Sequence, residues 1–348
     1  MTTGSATSAS SSARRTSRNA VWILSSVRRA SPRSVFTTRP SRWVRLSSIG
    51  KAIPACRWRD ETCRSLGVNS TGARRRSVTI LLYLLVPAAY LAAATLEWKR
   101  LAPGIRAPAE HAAAIAGWLG AAAVAGHAVL VFGAVFTRDG LDVSLANALS
   151  AVACLTALIA WIGNQARTLP GVAAVALPVA AIGALLPALF PNPHRFSLAD
   201  EHWAVLHIAV ALIAYALFLV AALQALLMLG LERRLHLALP DPAAETLPPL
   251  LVLEKFLFRL VGVGYALLTL TLVSGALFSE ELFGKPLRFT HKIVFSLLGW
   301  LVFGALLFGR HRYGWRGRAA LHWILAGSGL LVIAYVGSKF VLEVILGR

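Results

Sequence analysis

Acidic residues are scarce in this sequence, and the first of them is Asp60. Only 15 Asp and Glu stand against 35 Lys and Arg, and charge of both signs makes up just 14% of the 348 residues, while 57% are hydrophobic. With a mean hydropathy of +0.66, so little charge excludes a soluble globular protein and indicates a polytopic membrane protein of all-α class. The formal charge of +20 invites a nucleic-acid reading, but its distribution argues against one. Residues 1–77 hold 16 of the basic residues against Asp60 and Glu61 alone, a local charge of +14, which leaves +6 for everything downstream. No nucleic-acid partner follows from a charge gathered in one terminal stretch.

Cysteine is equally sparse. Cys56 and Cys63 lie in the basic stretch and Cys154 in an apolar one, so there is no CxxC redox pair, no disulfide framework and no CxxCH haem-attachment site. Cys154 reads as a buried thiol in a packed helix. HExxH, a GxGxxG opening a helix after a strand, GxxxxGK[ST] and GxSxG are all missing, and the neighbouring Glu280 and Glu281 do not converge on a shared point. An enzyme is therefore the least supported class.

What is present begins with a Ser-, Thr- and Arg-rich extension, residues 1–77, without sustained periodicity. Its longest apolar run, Ala20 to Leu24, is shorter than the ~7–15 residues of a signal-peptide core. An organellar transit peptide and a start site assigned too far upstream are the two readings, and the abrupt change of character at Val78 favours the second. Residues 78–348 form the expected membrane domain.

Eight apolar segments there approach the ~20 residues a helix needs to cross the hydrocarbon core: 78–96, 112–136, 141–162, 170–190, 203–230, 256–279, 289–309 and 320–346. The fourth contains Pro178 and Pro187, which membrane helices tolerate when neighbours satisfy the freed backbone groups. Thr137 to Gly140 makes a tight turn between the second and third. Odd-numbered connections carry most of the Lys and Arg, among them Arg233, Arg234, Arg310, Arg312, Arg316 and Arg318, and even-numbered ones carry four, Arg138, Arg195, Lys285 and Arg288. The positive-inside rule then places odd connections in the cytoplasm and both ends of the eight-helix core outside, in a bacterial inner membrane facing the periplasm.

That assignment sorts the histidines. His207 lies about one turn inside the fifth helix, roughly 6 Å below Trp203 at 1.5 Å per residue, and His291 opens the seventh at the same outer level. Two imidazoles facing each other across a helical bundle can hold haem iron axially, with apolar side chains around the macrocycle. Arg195, Lys285, Arg288 and Lys292 are on the side where propionates would want cations. His127, about nine residues into the second helix from its outer end, is roughly 13 Å deep; ligation and a hydrogen bond to a neighbouring helix are both open to it. His194 and His202 read as interfacial anchors, and His111, His236, His311 and His322 as solvated groups beside arginines. Ionisable groups within a membrane are costly, which makes His207 the first candidate for function.

Ordered landmarks then carry a resemblance. Leu206-His207 opens the helix LHIAVALIAYALFLVAALQALLML; Arg259, Gly262 and Gly264 lie in EKFLFRLVGVGYALLTLTLVSGALF, which Ser274-Gly275 closes; and Gly314-Trp315-Arg316-Gly317 precedes the last helix. With GLDVSLANALSAVACLTALIAW upstream, the stretch from Gly126 to Phe340 resembles the cytochrome c assembly proteins of the CcsA/HemX type. The resemblance implies haem as cofactor, haem handling at the outer face during cytochrome c maturation, and other maturation proteins as partners. Members that deliver haem carry a WGxxWxWD element after the Ser-Gly pair. Here that loop reads FSEELFGKPLRFTHK, and the outer loop after the second helix lacks the histidine such members have, which points to the smaller YpjD/HemX-like branch. His207 carries over directly, and His291 sits where the tryptophan-rich element would end.

The expected function is an integral membrane haem-binding protein of cytochrome c assembly, with His207 and His291 on the iron. Two other classes compete: a membrane scaffold or regulator of tetrapyrrole biosynthesis acting through its cytoplasmic arginines, and a small-molecule transporter with a site near His127.

Overall fold

The computed structural model describes residues 70–101, 110–137, 140–191, 195–196, 202–236, 249–277 and 291–337. The basic extension up to residue 69 lies outside the described residues. Eight helices are long and apolar enough to cross a membrane: α1 (Ser70–Leu101), α2 (Glu110–Val135), α3 (Leu145–Gln165), α4 (Val172–Leu189), α5 (His202–His236), α6 (Leu250–Leu277), α7 (His291–Tyr313) and α8 (Gly317–Val332). The last runs on into a single π turn, Ile333–Gly337. The protein is an all-α, polytopic integral membrane protein. Contacts between the start of one helix and the end of the next, such as His207 with Ser274 and Glu254 with Arg310, show successive helices running in opposite directions.

The helices form two sets of four with different packing chemistry. In α1–α4 the buried surface is largely alanine: Ala93, Ala94, Ala123, Ala157, Ala180, Ala181 and Ala184 surround Tyr90, Val86 and Leu177. Lipid tails give no hydrophobic drive between helices, so association depends on close packing, and small side chains bring backbones near enough for it. In α5–α8 the core is built from large side chains received by glycines. Phe218 and Phe303 stack at 4.1 Å between centroids, and a Cβ on Gly327 would come within 2.8 Å of the Phe303 ring. A third cluster, Ala160, Leu169, Val172, Ala176, Val220 and Leu223, joins the two sets along α3, α4 and α5.

Two departures from expectation have local causes. The third span starts at Leu145 instead of 141 because polar groups cap it there. Ser144 accepts from the Asn147 N–H at 3.3 Å, Asp142 Oδ1 accepts from the Ser144 N–H at 3.1 Å, and the Asn147 side chain donates to the Asp142 carbonyl at 3.2 Å. The freed residues make a small antiparallel sheet of β1 (Phe136–Thr137), β2 (Gly140–Asp142) and β3 (Arg195–Phe196), in which Leu141 faces both Phe136 and Phe196. The sixth span starts at Leu250, six residues early, because Glu254 is buried against Arg310. Both Pro178 and Pro187 sit inside an unbroken α4, which begins after Gly171 in the left-handed conformation at φ 80°.

Candidate functional site

At the end of the bundle that carries the small sheet, polar side chains from α5, α6, α7 and the turn after α8 converge. His207 is half-buried, and its Nδ1 lies 2.8 Å from Ser274 Oγ on α6. Ser274 in turn donates to the Thr271 carbonyl one turn back at 3.1 Å. The neighbouring Gly275 also faces the ring: a Cβ there would stand 3.4 Å from His207 Cε1, at van der Waals contact. Lys292, the second residue of α7, holds its ammonium 5.6 Å from the centroid of the Tyr335 ring. Tyr335 packs against Tyr215 at 5.7 Å, and Tyr215 shares a side-chain hydrogen bond with the buried Ser296.

These positions follow helical spacing. His207 and Tyr215 lie two turns apart on α5, Lys292 and Ser296 one turn apart on α7, and Thr271 and Ser274 one turn apart on α6, so each helix shows the cluster a single face. Trp203 at the start of α5 is exposed. The arrangement offers an imidazole with a fixed orientation, an adjacent cation and aromatic faces.

His291 opens α7 immediately before Lys292, and its side chain lies outside the described residues, as do those of His202, His111 and His236. His194, Lys285 and Arg288 lie outside the described residues altogether, and of Arg195 only the strand position is described. His311 and His322 are exposed on the opposite end of the bundle, His322 with Nδ1 2.7 Å from the Arg318 carbonyl.

His127 stands apart from this cluster. It is fully buried within the α1–α4 set, with Tyr90 Oη 3.2 Å from Nδ1 and Ser150 Oγ 3.0 Å from Nε2. Both ring nitrogens thus face hydroxyls on neighbouring helices. Among the described residues no three His, Cys, Asp or Glu side chains group as a metal cage. A porphyrin brings four ring nitrogens of its own and needs from the protein only axial ligands.

Sequence reasoning reached His207 and Lys292 but missed Tyr215, Ser296 and Tyr335. It met Ser274-Gly275 only as a landmark. The available signal was the polar residue two turns below His207 and one turn below Lys292, weak in helices where isolated Ser and Tyr residues recur.

Eight spanning helices with one polar cluster set near one end, where α5 and α7 start, define a membrane protein whose site is built from helix termini. The family described as cytochrome C assembly protein matches residues 115–346, and the chain belongs to that family. It is 32% identical over 214 residues to the inner membrane protein YpjD of Escherichia coli K12, covering 60% of this chain and 78% of that protein. A 28.8 kDa protein of Azospirillum brasilense is 39% identical over 145 residues, 42% of this chain and 54% of its own length. The cytochrome c biogenesis protein CcsA of Synechococcus sp. CC9902 is 30% identical over 198 residues, 48% of this chain and 64% of its own. No solved structure matches.

Proposed function

We propose that this protein binds haem at the His207 end of the bundle and acts in cytochrome c biogenesis in the bacterial inner membrane, as a binding protein and not an enzyme. His207 and His291 would hold the iron, Lys292 would pair with a propionate, and residues 78–348 are the working domain. When bound, haem supplies an iron with two axial positions for imidazole nitrogens and propionates that pair with cations. The observation that carries this reading is the half-buried imidazole of His207, its Nδ1 2.8 Å from Ser274 Oγ, at the end of the bundle where α7 opens with His291 and Lys292. Metal-ligating histidines characteristically donate their other ring N–H to a fixed acceptor, and Ser274 is such an acceptor. Family membership and the relatives named for cytochrome c biogenesis and for the inner membrane support the same role.

The excess of basic residues in odd connections sets the His207 end toward the periplasm. Other maturation proteins are the expected partners there. The test is the optical spectrum of the full chain purified in mild detergent from haem-replete cells. A Soret band is expected, weakened or shifted by His207→Ala and by His291→Ala and unchanged by His127→Ala. A colourless wild-type protein overturns the proposal.

A further inference from the structure

We infer that Ser274 is the positioning residue of His207, and that it fixes which imidazole nitrogen the protein offers to a ligand. The argument rests on a proton count. A serine hydroxyl has one proton and two lone pairs. Ser274 Oγ lies 3.1 Å from the Thr271 carbonyl, which can only accept, and 2.8 Å from His207 Nδ1; a hydroxyl that gives its one proton to the carbonyl meets Nδ1 with a lone pair. Nδ1 therefore carries the hydrogen and donates it. Neutral imidazole has one N–H, so Nε2 becomes the nitrogen with the lone pair.

Geometry holds this choice in place. Thr271 directs its own hydroxyl to the Leu267 carbonyl at 2.8 Å, so it does not compete for the Ser274 proton. Rotating the ring to exchange its nitrogens would break the contact with Ser274. A hydrogen bond from Nδ1–H also raises the basicity of Nε2 toward a metal. The assignment of Nε2 to iron rests on the haem reading above; the tautomer itself does not.

The experiment has a haem-free arm and a haem arm, both on the full chain in lipid nanodiscs. In the first, 15N-histidine NMR reads the tautomer of His207, its signals identified by their loss in His207→Asn. The wild type should show Nδ1–H alone, Ser274→Ala a mixture or the Nε2–H form, and Ser274→Thr the wild-type pattern. A wild-type His207 in the Nε2–H form, or a Ser274→Ala spectrum identical to wild type, overturns the inference whatever becomes of haem. In the second arm, Ser274→Ala should weaken haem binding about 10–100-fold, shift the reduction potential upward and alter the Soret band, with Ser274→Thr restoring all three. If His207→Asn binds haem as wild type does, the haem reading fails while a confirmed tautomer keeps the Ser274 assignment. If His207→Asn abolishes binding and Ser274→Ala changes neither affinity nor potential, the positioning role fails and the haem reading survives.

Discussion

Arg310 on α7 reaches Glu254 on α6 at 2.5 Å and, through the same Nη1, the Trp315 carbonyl in the turn before α8 at 3.0 Å. Its guanidinium also lies 4.4 Å from the centroid of the Phe258 ring. One cation thus ties three consecutive segments at the end of the bundle opposite His207. Glu254 is buried, so removing its partner would leave an uncompensated carboxylate in a poorly solvating place.

Arg310→Ala should destabilise the fold by about 3–5 kcal/mol, because the buried Glu254 carboxylate loses its counterion, and Glu254→Ala should cost less, because Arg310 is partly exposed. The double variant should be less damaged than the two losses added together. Thermal midpoints in detergent, followed by size-exclusion chromatography, check this; additive losses would show that the pair is not coupled.

The Tyr90–His127–Ser150 bridge should behave as a packing device. Tyr90→Phe and Ser150→Ala each strand one buried imidazole nitrogen and should cost about 1–3 kcal/mol. Haem content per folded protein should be unaffected. Loss of the Soret band in either variant at normal folded yield would place His127 in the ligand site instead.

Gly327→Ala puts a methyl 2.8 Å from Phe303 Cζ, and Phe303 is itself fully buried and stacked on Phe218. Overpacking of this kind should cost about 1–3 kcal/mol. Phe303→Leu in the same chain should recover part of the loss, which the same thermal assay measures.

The membrane orientation is testable by labelling in a background lacking Cys56 and Cys63; Cys154 is buried. Trp203→Cys, at the His207 end, should react with a membrane-impermeant maleimide added to spheroplasts. Arg316→Cys, exposed at the opposite end, should react only after lysis. The reverse pattern would turn the protein over and put the proposed haem site in the cytoplasm.

Lys292→Glu should weaken haem binding by replacing the cation beside His207 with an anion, and Lys292→Arg should preserve it. A haem titration followed at the Soret band decides between these outcomes.

The eight spans were legible in the sequence because length and continuous hydropathy are local properties, set by bilayer thickness. His207 was legible for the same reason, as an expensive residue in an otherwise apolar helix. The start of α6 was misplaced because the partner that makes Glu254 tolerable lies 56 residues away. The role of Ser274 depends on a contact across 67 residues, and no periodicity encodes that. The strands β1, β2 and β3, two or three residues each, are too short to show alternation.

The ladder from β2 to β3 joins the connection between α2 and α3 to the connection that leads into α5. It therefore works as a depth gauge. The level at which α5 begins is referenced to the first four helices, and sliding one set of helices past the other along the membrane normal would tear the Leu141–Phe196 pairing apart. The packing of Ala160, Leu169, Val172 and Ala176 against Val220 and Leu223 opposes the same sliding farther along α5.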